Sequence, residues 1–125
     1  MDIDQFTQLL VHSRLFGEQE SRDLAAEFQK ACNDRGEDIN VALFSEFLVK
    51  MGYVTRWQCD KLLVGKWKGF YLDNFLLLEQ VGKGSDYSSY KARNARDGKL
   101  VCLVVTPTAL AGGKIEYRIE TYSGS

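Results

Sequence analysis

The sequence predicts an α+β protein in which an N-terminal four-helix bundle is followed by a small antiparallel sheet. Apolar residues recur at helical spacing through the first half, whereas the second half alternates short apolar runs with turn signals that contain glycine. The charge divides in the same way, because residues 1–64 hold 7 basic and 11 acidic side chains and residues 65–125 hold 9 and 6. We therefore expect two units, residues 1–66 and residues 67–125.

Four helices are expected where apolar residues return every three or four positions. Gly36 favours the end of the second helix, because glycine readily takes the left-handed conformation found there. Thr55 and Gln58 have the spacing of a capping box, which marks the start of the fourth helix. The expected helices cover about residues 4–15, 18–33, 39–51 and 55–64.

The helical half contains an internal repeat. Residues 6–24 align without a gap on residues 44–62, and the aligned pairs include Phe6 with Phe44. The offset of 38 residues lies within the range of helical-pair repeats. We interpret the first unit as two matched αα-hairpins.

The second half predicts four strands. Asp97-Gly98 is a strong signal for a tight hairpin turn. Near the C-terminus, apolar or β-branched residues alternate with charged ones, which is typical of a half-buried strand. The expected strands cover residues 75–81, 88–93, 100–105 and 115–121.

The turn between the first two strands carries a motif, GKGSDYSS, at residues 82–89. It resembles the glycine-rich loop G-x-G-x-x-G-x-V of protein kinases. Gly82 and Gly84 match the first two glycines, and Tyr87 takes the place of the third. Val104 stands where the kinase strand V-A-I-K has its phosphate-pairing lysine.

The segment before this loop extends the resemblance. Residues 54–71 are similar to a helical segment that precedes the catalytic domain in planctomycete-type bacterial serine/threonine kinases. The resemblance covers roughly residues 40–107 and implies a degenerate, pseudokinase-like N-lobe.

The same resemblance implies that the chain is not an enzyme. Val104 cannot pair with phosphate, and no H-R-D or D-F-G motif follows it. We expect no catalytic residues and no cofactor, with Gly82 and Gly84 as a vestigial nucleotide-binding loop. The favoured function is a non-catalytic protein-interaction or regulatory module.

Three alternatives stay open at this point. The chain could be a nucleotide-binding pseudokinase fragment, or the N-terminal part of a larger serine/threonine protein kinase. It could also bind nucleic acid through four basic residues, but the net charge of −1 provides no general attraction to an anionic polymer. Those residues are Lys66, Lys68, Arg93 and Arg96.

Protein partners are expected because the strands are apolar while the kinase elements that would cover them are missing from the pattern. Exposed sheet edges tend to pair with another chain, so we expect a homodimer built on the β region. The candidate interaction residues are Trp57, Trp67, Phe70, Tyr117 and Ile119.

The cysteines indicate a reducing compartment. Cys32, Cys59 and Cys102 are odd in number and scattered, which favours free thiols over a disulfide framework or a zinc site. The sequence contains no long apolar run, and its start does not resemble a signal peptide. We expect a cytoplasmic protein with no membrane or nucleic-acid partner.

Overall fold

The computed structural model describes residues 1–107 and 115–121, which form four α-helices and five antiparallel β-strands. The predicted α+β class is confirmed. The helices are α1 (Ile3–His12), α2 (Glu18–Arg35), α3 (Val41–Lys50) and α4 (Arg56–Leu63). The strands are β1 (Tyr71–Leu72), β2 (Phe75–Lys83), β3 (Ser88–Asn94), β4 (Leu100–Pro107) and β5 (Ile115–Thr121).

The chain divides into two compact units, Met1–Phe70 with the helices and Tyr71–Ser125 with the strands. The first unit therefore ends at Phe70, where the sequence suggested residue 66. Phe70 is only 2% exposed, so its side chain belongs to the interior of the protein rather than to its surface.

Side-chain caps define the start of three helices. The Asp2 carboxylate accepts a hydrogen bond from the Gln5 N–H at 2.8 Å, and the Gln5 side chain accepts one from the Asp2 N–H at 2.9 Å. Thr55 and Gln58 form the same reciprocal pair at 3.1 and 3.0 Å, which confirms the predicted capping box. Asn40 caps α3 through the Leu43 N–H. Each cap satisfies backbone donors that the helix itself leaves unpaired.

The C-terminal ends of α1 and α2 differ from the predicted ones by two residues or more. α1 stops at His12, short of residue 15, because the backbone turns into the left-handed region at Arg14, with φ of 65°. α2 continues to Arg35 and ends at Gly36, whose φ of 66° is the conformation that glycine adopts without a Cβ clash.

The core of the helical unit is aromatic. Phe6 and Phe44, the aligned residues of the two similar segments, are both fully buried and make an edge-to-face contact with ring centroids 5.7 Å apart. Phe28 packs on Phe44 at 5.0 Å. The aligned leucines Leu10 and Leu48 are also fully buried. The helical spacing of the sequence thus places these apolar residues on the inward faces of their helices.

The strands of the second unit follow one another in space in the order β1-β2-β3-β4-β5. The four predicted strands are confirmed, and β1 is an addition because two residues show no periodicity. Two register shifts interrupt the β2–β3 pairing, one between Leu77 and Glu79 and one between Gln80 and Gly82. Such bulges bend and twist a sheet.

The sheet curls over its own apolar face. Phe75, Leu77, Ala92 and Leu103 are buried on β2, β3 and β4. Tyr117 on β5 approaches Phe75 across the curl, with ring centroids 6.0 Å apart.

Candidate functional site

Gly82 and Gly84, the two glycines of the motif at residues 82–89, lie in the hairpin between β2 and β3. The local structure explains why position 82 is a glycine. Gly82 pairs with Ser89 across the two strands, at a register shift. A Cβ at position 82 would lie 2.5 Å from the Ser89 hydroxyl oxygen, closer than real side chains approach. The absence of a side chain here makes room for Ser89.

Gly84 makes room for Tyr87. The Gly84 N–H donates to the Tyr87 carbonyl at 2.9 Å, which closes the loop. A Cβ at position 84 would lie within 3 Å of three carbons of the Tyr87 ring. The Tyr87 ring therefore packs on the Cα of Gly84, inside the β2–β3 loop.

Beside this loop lies an open groove of about 710 Å³. It is bounded by the β2–β3 loop, by alternate residues of β4 and by β5. Val104, at the position that resembles the kinase lysine, lies in its wall and supplies no charge. Other wall residues are Asp86, Tyr87, Cys102, Arg118 and Glu120.

The groove's charged side chains from β5 pair with each other. An Arg118 Nη lies 3.1 Å from a Glu120 Oε, and the two side chains are 72% and 50% exposed. In this arrangement the Glu120 carboxylate offsets the charge of the Arg118 guanidinium. An exposed ion pair of this kind contributes little to stability and can change partners at low cost.

β5 is the last strand in the sheet order, and Ile119 at its middle is 54% exposed. Ile119 lies opposite Leu103 of β4, which is fully buried. Directly opposite residues project from the same face of an antiparallel pair. Ile119 therefore prolongs an apolar row outward to the edge of the sheet.

Tyr117, the other candidate on β5, already has intramolecular partners. Its hydroxyl donates a hydrogen bond to a carboxylate oxygen of Asp73, in the turn between β1 and β2. That bond, together with partial burial and the negative charge of Asp73, raises the pKa of the Tyr117 hydroxyl. Tyr117 thus links β5 to the turn between β1 and β2 within its own chain.

The three candidates of the helical unit are packed to different degrees. Trp57 makes an edge-to-face contact with the buried Phe70 at 5.8 Å, and the ammonium of Lys61 lies 5.7 Å from the Trp57 ring centroid. Trp67 is half-buried, with its ring 5.5 Å from that of His12. Phe70 is only 2% exposed and packs against Trp57, and its contact with a partner stays a prediction.

The thiols are free, as expected, with Cys32 and Cys59 buried and Cys102 half-exposed in the groove wall. Burial raises the pKa of the Cys59 thiol. Over residues 1–107 and 115–121, no cluster of three or more His, Cys, Asp or Glu side chains is arranged to hold a metal ion. Within the same ranges, every helix is too short or too polar to cross a membrane.

Sequence reasoning missed Asp73 and the Arg118–Glu120 pair. The alternating stretch Glu116-Tyr117-Arg118-Ile119-Glu120 was the available signal for the pair, because residues two apart on a strand share a face. The role of Asp73 as the hydrogen-bond acceptor for Tyr117 depends on the curl of the sheet. Nothing near Asp73 in the sequence indicates this role.

Comparison with protein-family models, with curated proteins and with solved structures finds no match to this chain.

Proposed function

We propose that the chain is a non-catalytic protein-interaction or regulatory module that binds its partner through the edge of β5. The observation that carries this proposal is Ile119, an isoleucine 54% exposed in the middle of the terminal strand. A terminal strand offers backbone donors and acceptors to another chain, and an apolar residue at its centre adds contact area.

The loop and groove support the non-catalytic half of the proposal. Phosphoryl transfer depends on backbone amides and a lysine that surround the phosphates, with metal ions to neutralise their charge. Tyr87 fills the space against Gly84, and Val104 replaces the lysine. Arg118 lies in the groove wall beside Glu120, whose carboxylate offsets its charge.

The test is affinity capture from a native lysate with the tagged chain as bait. The variants are Ile119→Asp and, as a matched control, Val64→Asp, which alters an apolar residue of the helical unit that is 69% exposed. We expect the wild type and Val64→Asp to retain the same protein, and Ile119→Asp to lose it. A retained untagged copy of this chain counts as a partner. Equal capture by all three baits, or by none of them, would contradict the proposal.

The second candidate function is nucleotide binding. The chain would then be a pseudokinase fragment or the N-terminal part of a larger serine/threonine kinase. The groove of about 710 Å³ beside the β2–β3 loop is the observation that favours it. Calorimetric titration with MgATP tests it, with Val104→Trp to fill the groove and Ile119→Asp as control. A Kd of about 1–100 µM that only Val104→Trp abolishes would favour this candidate. No binding up to about 1 mM would remove nucleotide binding by this chain.

A further inference from the structure

The outer edge of β5 is open among the described residues. β5 pairs with β4 on one side, and the order of the sheet places no strand of residues 1–107 on the other. The side chains of Arg118, Ile119 and Glu120 are all at least half exposed. Tyr117, one position earlier, is tied to Asp73 and Phe75. The accessible length of the edge therefore centres on Ile119.

The charge pattern of this edge is complementary to itself. Two antiparallel copies of β5, related by a twofold axis at Ile119, place Arg118 of each copy opposite the partner's Glu120. The two Ile119 side chains meet at the axis. Opposite charges directly across an antiparallel pair attract, and like charges repel.

Other registers fit less well. An axis at Arg118 sets two guanidinium groups against each other and pairs Glu116 with the partner's Glu120. An axis at Tyr117 pairs Glu116 with the partner's Arg118, which is favourable in charge, but it centres the contact on a side chain already bound to Asp73. The Ile119 register alone combines opposite charges with the exposed apolar residue.

We infer that the partner of this edge is a second copy of the chain, joined through antiparallel β5–β5 pairing centred on Ile119. This rests on the proposed function and specifies the partner of the same surface. In the dimer, the ion pair between Arg118 and Glu120 of one strand is replaced. Each Arg118 pairs instead with the Glu120 of the other copy. The apolar row that runs from Leu103 to Ile119 continues into the second sheet.

Charge reversal tests the register. Arg118→Glu alone or Glu120→Arg alone puts like charges opposite each other at two places, whereas the double variant Arg118→Glu/Glu120→Arg restores attraction. The matched control is Arg22→Glu, an equally exposed arginine of an ion pair on α2. The readout is mass by sedimentation equilibrium or light scattering from about 5 to 300 µM, with circular dichroism to verify folding.

We expect the wild type, Arg22→Glu and the double variant to form dimers at about 100 µM, and each β5 single variant to dimerise at least about tenfold more weakly. A wild type that is monomeric at about 100 µM overturns the self-pairing but leaves the proposed function standing. The proposed function would still be supported if the wild type captured a different protein and Ile119→Asp did not. If the wild type is a dimer and the double variant is folded but monomeric, the Ile119 register is wrong. That result would fit an axis at Tyr117, where the glutamate introduced at position 118 would lie opposite the partner's Glu116 and repel it.

A disulfide cross-link gives a second measurement that does not depend on weakened variants. Directly opposite Cα atoms in an antiparallel pair lie about 4.5–5.5 Å apart, which a disulfide can span. Ile119→Cys, made with Cys102→Ser to remove the half-exposed native thiol, should give a covalent dimer on mild oxidation. Val64→Cys in the same background should stay largely monomeric. Equal cross-linking of the two variants, or none at position 119, contradicts the inference.

Discussion

The Tyr117 hydroxyl donates a hydrogen bond to the Asp73 carboxylate and so joins the last strand of the sheet to the turn after the first. The two residues are 44 positions apart in the sequence. The Tyr117 ring also packs edge-to-face on Phe75. This single side chain therefore contacts both the turn between β1 and β2 and the first residue of β2.

The Tyr117–Asp73 bond should make stability depend on pH in the alkaline range. The raised pKa of Tyr117 means that its stabilising effect is complete below the ordinary tyrosine value of 10.0 and is lost as pH rises through the raised value. Tyr117→Phe should therefore lower the urea midpoint at pH 8 and make little difference above the raised pKa. A midpoint unchanged at pH 8 would show that the bond contributes nothing.

The ultraviolet absorbance of the tyrosines checks the pKa directly. One tyrosinate should appear later than the others in a titration of the folded wild type, and this late step should be absent in Tyr117→Phe. Asp73→Asn, which removes the charge and keeps the size, should move the step to lower pH.

Loss of the α4 cap should destabilise the helical unit. Thr55→Ala removes the hydroxyl that accepts from the Gln58 N–H at 3.1 Å, at a cost of about 1 kcal/mol in the free energy of unfolding. Thr55→Ser keeps the hydroxyl and should recover most of that loss. Equal stability of Thr55→Ala and wild type in a denaturant titration would argue that water replaces the cap without loss.

Gly84 should be required for full stability only while Tyr87 is present. Gly84→Ala introduces a methyl group into the space of the Tyr87 ring, which is 46% exposed and must turn aside, so we expect a loss of about 1 kcal/mol. In a Tyr87→Ala background the same change should cost much less. A double-mutant cycle measures this coupling, and additive effects would mean that the glycine serves another purpose.

The thiols should react in a fixed order. Cys102 is half-exposed, whereas Cys32 and Cys59 are buried and the pKa of Cys59 is raised. Iodoacetamide at pH 8 should therefore modify Cys102 first, and the other two only after unfolding. Mass spectrometry of digested protein identifies the modified residue, and early modification of Cys59 would contradict the core described for the helical unit.

The elements that the sequence predicts well are those with a local cause. The four helices follow from apolar spacing, and the cap at Thr55 follows from the residue three positions later. Strands β2 to β5 follow from apolar runs, alternation and turn residues. Each of these signals lies within a few residues of the structure that it predicts.

The features that the sequence does not predict depend on contacts between distant residues. Phe70 is predicted as an interaction residue, and its burial against Trp57 has no local signal in the sequence. Asp73 accepts a hydrogen bond from Tyr117, 44 positions away, so no neighbouring residue in the sequence indicates this role. The packing of Tyr87 on Gly84 depends on a ring orientation that no motif encodes.

The order of the strands has a consequence for how the second unit folds. Every strand pairs with its neighbour in sequence, so each pairing closes a short loop and loses little chain entropy. Low sequence separation between contacting residues is associated with fast folding. We therefore expect the hairpins to form early and the bond across 44 residues, from Tyr117 to Asp73, to form late, so that its removal speeds unfolding and leaves the folding rate almost unchanged.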